Sequence, residues 1–416
     1  MDRYIIEGGN RLSGEIKIHG AKNAVLPILA GALITGESLI HNCPKLTDVD
    51  AACNILKYLG CNVDIQGEDI SIVPQAINCC DIPDSLMREM RSSVVFLGAI
   101  IARCGRAKIS MPGGCELGAR PIDLHLSALE KLGVTITEYN GYLECTVNDR
   151  LKGTNIHLPF PSVGATENII LAACLAEGET VLHNPAREPE IDDLAAFLNA
   201  AGAKITIGEK GIHICGVKKL GKAEHSIIPD RIEAATYLCC VAAAGGEVLL
   251  RGIENSHMTA MLPVFEEFGC EIKTEKGMAL IKSIKRPESV KFIRTMPYPG
   301  FPTDAQSPFM AVSCIADGTS MYVENIFESR YKHAAELSRM GAKIKIEGRV
   351  AVVEGVKELQ GASVVCTDLR GGAALVVAAL AAKGTSEISN ICHIERGYQH
   401  LEAELAGIGA RIKKLS

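Results

Sequence analysis

The sequence predicts an α/β fold built from six copies of one structural unit, and two recurring patterns carry that prediction. The first is the set LKYLGCNVDI, LEKLGVTI, LNAAGAKITI, FEEFGCEIKT, LSRMGAKIKI and LAGIGARIKK. Each is the end of an amphipathic helix, a glycine and then an alternating strand. The second set, somewhat earlier in each unit, is apolar nearly all round: NAVLPILAGALITG, SSVVFLGAIIARCG, TENIILAACLAEG, EAATYLCCVAAAGG, SPFMAVSCIADG and GGAALVVAALAAKG. A helix with no polar face must be buried on all sides. Six such helices need sheets and outer helices around them, which points to barrel-like domains with helices inside and strands outside. An ordinary stack of α/β layers satisfies the same periodicity.

The elements of a unit follow in order. A strand leads into the apolar helix, and a second strand leads into the amphipathic one. In PEIDDLAAFLNAAG, Ile191, Leu194 and Leu198 share one face, as a helix covering a sheet requires. Gly60, Gly133, Gly202, Gly269, Gly341 and Gly409 fall just past these outer helices. A left-handed cap there suits glycine, and two further strands close the unit. The strand RYIIEG precedes the first full unit and is expected to pair with the second half. No low-complexity linker divides the chain. Three units per domain then give one domain at residues 22–229 and another at 230–416 with 1–21, the chain crossing near Ile228-Pro229-Asp230.

Composition narrows the function classes. Hydrophobic residues are 47% and charged residues 22% of the 416, the balance of a cored protein rather than a disordered chain. Aromatics are 4% and Trp is absent, so the core is made of small aliphatic residues. A net charge of -6 lacks the basic excess of a nucleic-acid or membrane-surface protein. No run reaches the ~18 apolar residues of a membrane span, and the chain opens without a secretory signal. Sixteen cysteines without any C-x-x-C pair then read as reduced thiols of a cytoplasmic protein, most of them small core residues. A thiol redox sensor is a minor alternative.

The candidate site residues cluster where the apolar helices begin. Lys22-Asn23, Arg91-Ser92-Ser93, Ser162-Val163-Gly164, Asp230-Arg231, Thr303-Asp304 and Asp368-Leu369-Arg370 occupy six equivalent turns. Ser, Asn and Asp there can simply cap helices. Lys22, Arg91 and Arg370 oppose the helix dipole, and an anionic ligand at the N–H ends would resolve the conflict. The segment SMPGGCELGARPIDLHL interrupts the second unit with a glycine-rich loop. Its Cys115, five residues before Arg120, is either an incidental thiol or a reactive one. Ala119-Arg120 stands where a phosphate loop of the Walker type has Lys-Ser/Thr, which excludes that reading. His125 begins the next outer helix as a cap or a phosphate contact, and Glu188 and Glu190 suit a first helical turn. FESRYKHAAELSRMG offers Glu328, Arg330 and His333 before the outer helix of unit five, and HIERGYQHLEAEL offers Arg396 at the matching place in unit six, where a lone Arg can simply be solvated. No metal, serine-hydrolase or dinucleotide motif is present.

The motifs GAKNAVLPILAGAL, PGGCELGARPIDLHL, NPAREPEIDDLA, FPTDAQSPFMA, ELSRMGA, DLRGGAALVVAAL and IERGYQHLEAEL resemble those of the UDP-N-acetylglucosamine 1-carboxyvinyltransferase (UDP-GlcNAc enolpyruvyl transferase) family along the whole chain. The sister shikimate-pathway family shares the sixfold plan but lacks the cysteine loop. The resemblance implies two inside-out α/β barrel domains, each of three strand-helix-strand-helix-strand-strand repeats, with the active site in the interdomain cleft. It implies transfer of enolpyruvyl from phosphoenolpyruvate to the 3′-hydroxyl of UDP-N-acetylglucosamine, with release of phosphate, as the first committed step of peptidoglycan synthesis. No cofactor and no metal are expected, and the partners are those two small molecules, with no nucleic acid and no membrane.

The same resemblance assigns roles. Cys115 would give the proton to C3 of phosphoenolpyruvate and be the thiol alkylated by fosfomycin, and Asp304 would accept or orient the 3′-hydroxyl proton. Lys22, Arg120 and Arg396 would hold phosphate, Arg330 and Arg370 the carboxylate, and Asp368 would position Arg370 or relay a proton. Asn23, Arg91, Asp304 and Ile326 would surround the sugar. Arg120, Pro121, Ile122, Asp123 and Leu124 would line the uridine side, and Ser162, Val163, Gly164 and His125 the diphosphate. Phe160 stands where some members carry Lys, so stacking or a backbone contact is expected to replace a cationic one. The alternative is a non-catalytic paralogue that binds UDP-sugars and regulates a partner.

Overall fold

The computed structural model describes residues 2–75, 79–90, 93–110 and 122–415. Two compact units emerge, one running from Gly20 to Ile228 and the other combining the chain up to His19 with Pro229 onward. Each has its own hydrophobic core. Among the described residues the strands form six four-stranded sheets. The sheet of Asn155–His157, Glu179–His183, Gly211–Cys215 and Lys204–Gly208 shows the plan: one parallel pair, then two antiparallel pairings.

The apolar runs are the interior helices Lys22–Ala32, Phe96–Cys104 and Val163–Ala173 of the first unit and Arg231–Ala244, Thr303–Ser313 and Leu369–Ala381 of the second. In the second unit all three pack against one another. Their residues are buried on every face, as in Leu369–Ala381, where Arg370 through Leu380 are all buried. The strands outside alternate, as in Val350–Glu354 with Ala351 and Val353 inward. This is the inside-out arrangement, helices within and sheets without, and it decides between the two architectures the periodicity allowed. Gly98 permits close helix approach: a Cβ there would lie 2.4 Å from the Asn168 carbonyl oxygen. Phe309 anchors the second core, 4.7 Å from Phe265 and edge-on to Phe301 at 5.0 Å. Truncating such a ring typically costs about 3–5 kcal/mol.

The six repeat glycines all have positive φ, between 81° at Gly269 and 98° at Gly409. They follow outer helices such as Thr47–Tyr58 and Pro189–Ala200, which is the left-handed cap the pattern calls for.

The pairings between repeats are less local. Arg3–Glu7 lies between Thr385–Ser389 and Arg411–Leu415, antiparallel to both. Leu12–Lys17 pairs parallel with Gly246–Arg251, and Ala223–Ser226 with Ser38–His41. Each strand leading into the first interior helix of a unit therefore belongs to the other unit. At the first crossing His19 donates its backbone N–H to Glu233, and its ring meets the same carboxylate at 2.9 Å. Burial pushes the Glu233 carboxyl up, and His19 partly offsets that.

Candidate active site

The second unit builds a charged cluster at the start of two interior helices. Asp304 is in the first turn of Thr303–Ser313. Its Oδ1 accepts from Arg330 Nη2 at 2.9 Å and its Oδ2 from Arg370 Nη2 at 3.1 Å. The two guanidinium groups are almost wholly buried, while the Asp304 side chain is 27% exposed. One accessible carboxylate is thus gripped by two cations that water barely reaches. Arg330 also donates to the Thr303 carbonyl at 3.2 Å. Arg370 donates to Tyr398 Oη at 3.0 Å and lies over that ring. Burial opposes the charge of Arg370, but Tyr398, Asp304 and Asp230 outweigh it and hold the guanidinium above its ordinary range.

Two further carboxylates hold the cluster's frame. Asp368 caps the Leu369 helix, its Oδ1 accepting from the backbone of Arg370 at 3.1 Å and Gly371 at 3.0 Å. The cap fixes where Arg370 starts. Glu324, buried, accepts from Thr295 Oγ1, Thr303 Oγ1 and the N–H groups of Ile326 and Phe327. It ties the turn carrying half-buried Ile326 to the residue before Asp304. Arg396 is half-buried in the turn ahead of Leu401–Gly407 and is engaged there.

The first unit has its own polar set. Lys22, the first residue of its interior helix, is buried and pairs with buried Asp48 at 2.9 Å. Lys22 and Arg370 therefore already have carboxylate partners within the chain, so the conflict with the helix dipole is met internally and does not by itself demand a ligand. Asn23 follows, half-buried. Ser162 caps Val163–Ala173, its Oγ accepting from Ala165 N at 3.4 Å, with Val163 and Gly164 partly exposed. His125 is buried in Asp123–Lys131 against Gly164, whose added Cβ would lie 2.9 Å from the ring. Before it, Ile122 is buried, Asp123 exposed and Leu124 half-buried.

Asn168 organises this set. Gly98 N donates to Asn168 Oδ1 at 2.6 Å, which fixes the amide orientation. Its Nδ2 then faces Val94 O at 3.1 Å and His125 Nδ1 at 3.0 Å. A donor on Nδ1 makes that nitrogen the acceptor and places the His125 hydrogen on Nε2. Nearby, burial and then Glu190 and Glu188 push the Glu167 carboxyl well above its usual range. Arg91, Cys115, Arg120 and Pro121 lie outside the described residues.

Asp48, Asn168, Glu324 and Tyr398 were not among the residues the sequence singled out. Each is a buried polar side chain whose partners come from distant segments, and no local pattern marks it. Among the described residues no group of His, Cys, Asp and Glu is arranged to hold a metal, and no helix is long and apolar enough to cross a membrane.

The fold is that of the enolpyruvyl transferases. The enolpyruvyl transferase NikO from Streptomyces tendae matches 99% of this chain and 98% of its own with a TM-score of 0.90 at 24% identity. An EPSP synthase from Acinetobacter baumannii matches both chains in full with a TM-score of 0.77 at 19% identity. The family profile described as EPSP synthase (3-phosphoshikimate 1-carboxyvinyltransferase) covers residues 6–405. UDP-N-acetylglucosamine 1-carboxyvinyltransferase 2 of Caldanaerobacter subterraneus subsp. tengcongensis is 51% identical over the whole of both chains. UDP-N-acetylglucosamine 1-carboxyvinyltransferase 1 of Symbiobacterium thermophilum is 51% identical over all of this chain and 95% of its own. The chain belongs to the UDP-N-acetylglucosamine 1-carboxyvinyltransferase family of enzymes.

Proposed function

We propose that this enzyme transfers the enolpyruvyl group of phosphoenolpyruvate to the 3′-hydroxyl of UDP-N-acetylglucosamine, releasing phosphate, as the first committed step of peptidoglycan synthesis. The observation that carries the reading is the shared carboxylate: Asp304 held between Arg330 and Arg370. Two buried guanidinium groups around one accessible carboxylate form a ready site for another. When the carboxylate of phosphoenolpyruvate takes their free hydrogen-bonding edges, Asp304 is released to face the sugar hydroxyl. Charge-assisted contacts of this kind are worth about 1.5–3 kcal/mol each.

The chemistry balances in two steps. In addition, the 3′-oxygen bonds to C2 of phosphoenolpyruvate, its proton passes toward Asp304, and C3 gains a proton from Cys115. In elimination, C3 returns a proton to the Cys115 thiolate, the C2–C3 double bond re-forms and the C2–O bond to phosphate breaks, the departing phosphate taking the proton held at Asp304. Lys22, Arg120 and Arg396 neutralise the departing phosphate. Asn23, Arg91 and Ile326 hold the sugar. Arg120, Pro121, Ile122, Asp123 and Leu124 hold the uridine, and Ser162, Val163, Gly164 and His125 the diphosphate. Asp368 keeps Arg370 in place. Purified protein with both substrates releases phosphate, and with either alone it does not. Well-folded protein that releases none with both present rules the transfer out. Mass spectrometry after fosfomycin treatment finds Cys115 alkylated; modification confined to other cysteines removes Cys115 from this role.

A further inference from the structure

His333 begins the helix His333–Arg339, is fully buried, and has neither ring nitrogen in a hydrogen bond. A neutral imidazole offers one donor and one acceptor, and leaving a buried polar atom unpaired is costly. An aliphatic side chain of similar size would avoid that cost, so packing does not account for the histidine. The stem of the side chain is hemmed in. A Cβ at Gly371 would lie 3.0 Å from His333 Cβ and 2.6 Å from Asp368 Oδ2, so the first turn of the Leu369 helix closes over both.

The charges facing His333 are few. Burial and the Arg330 guanidinium disfavour a proton on the ring, and the Asp368 carboxylate and Arg330 carbonyl favour one. The balance leaves the ring neutral, its pKa lowered to about 4. Arg330 carries the complementary defect: its Nε is also buried without a partner. An unpaired donor thus lies three residues along the chain from an unpaired acceptor.

We propose that His333 is a positioning residue for the transfer reaction: in the substrate-loaded site its ring nitrogen accepts the Arg330 Nε hydrogen while its N–H turns to the Asp368 carboxylate. The chain Arg330–His333–Asp368 fixes the plane of the guanidinium once Asp304 no longer does so, and it links that guanidinium to the cap holding Arg370. The proposal rests on Arg330 binding the phosphoenolpyruvate carboxylate.

The test compares wild type, His333→Leu and His333→Gln in phosphate-release kinetics. His333→Leu, which removes both hydrogen bonds, raises KM for phosphoenolpyruvate about tenfold, with a smaller effect on kcat and on KM for UDP-N-acetylglucosamine. His333→Gln, whose amide keeps a donor and an acceptor, recovers most of the loss. An unmoved phosphoenolpyruvate KM in His333→Leu, or equal impairment in both variants, overturns the proposal. Wild type that releases no phosphate instead overturns the transfer reading beneath it. Imidazole nitrogen NMR of wild type serves if the variants fold poorly. One histidine stays neutral down to pH 5 and gains a hydrogen bond at one ring nitrogen when both substrates are added. A His333 ring that titrates above pH 5, or whose shifts ignore the substrates, also overturns it.

Discussion

Asp304 carries two duties that its surroundings keep apart. It neutralises Arg330 and Arg370 before substrate arrives, and in the proposed reaction it then meets the hydroxyl that attacks. Asp304→Asn keeps the shape and removes the charge. Turnover is expected to fall by about 10²-fold or more, while phosphoenolpyruvate binding is not weakened, because both arginines lose an internal competitor. Phosphate release and equilibrium binding, measured on the same variant, separate the two effects. Other residues couple to pH. His333 is held neutral, its folded pKa about 4 against an ordinary value of 6.5. The unfolded chain therefore binds the extra proton first as pH falls, and stability is lost between about pH 6.5 and 4. The loss is roughly 3 kcal/mol from this group, and denaturant titrations of wild type and His333→Gln across that window measure it. Glu167 has the opposite sign. Its folded pKa is raised by burial and by Glu190 and Glu188, so its contribution is present in acid and lost as pH rises. Glu167→Gln is expected to gain stability relative to wild type as pH rises above the ordinary carboxylate range; a gain that does not grow with pH excludes this account.

At the scale of elements, the helices were legible and many of their fastenings were not. Six apolar runs flanked by capping residues are a local signal, and Ser162, Asp230 and Asp368 do accept from the first turns of their helices. Asn168 gave no such signal. It follows Thr166 and Glu167 at the head of an apolar run, where it reads as one more polar residue of the helix start, and its meaning comes only from Gly98, Val94 and His125 meeting it in space. Removing its amide strands a buried N–H and a buried carbonyl at 1–3 kcal/mol apiece by general experience. Asn168→Leu is therefore expected to destabilise by about 3 kcal/mol in a denaturant midpoint, and to disturb the Ser162-Val163-Gly164 turn through His125. The short helix Asp84–Glu89 was also missed, being only 6 residues long with one buried side chain. Too few apolar positions fall on one face to set a period.

Across the whole molecule, periodicity reveals how many sheets there are but not who pairs with whom. An alternating strand records which side is buried, not which neighbour it bonds. Nothing in LSGEIK says that it lies beside Gly246–Arg251, or in AEHS that it lies beside Ser38–His41. The inside-out plan was readable because a helix without a polar face has no other home. The segment 20–228 contains every strand of its three sheets. Expressed alone, it is expected to unfold cooperatively with protected amides in its interior helices. Hydrogen exchange showing no protection would mean that it depends on the rest of the chain.

The placement of Arg3–Glu7 has a consequence for biosynthesis. It forms the middle of a sheet whose other members come from beyond residue 360, with Glu7 bonded to Arg411, 404 positions away. Translation delivers this ribbon long before its neighbours. Until those neighbours are made, its apolar residues Tyr4 and Ile6 have no sheet to bury them. Moving that ribbon to follow Leu415 in a circular permutant would let the last sheet close as it emerges, at little cost to the finished molecule.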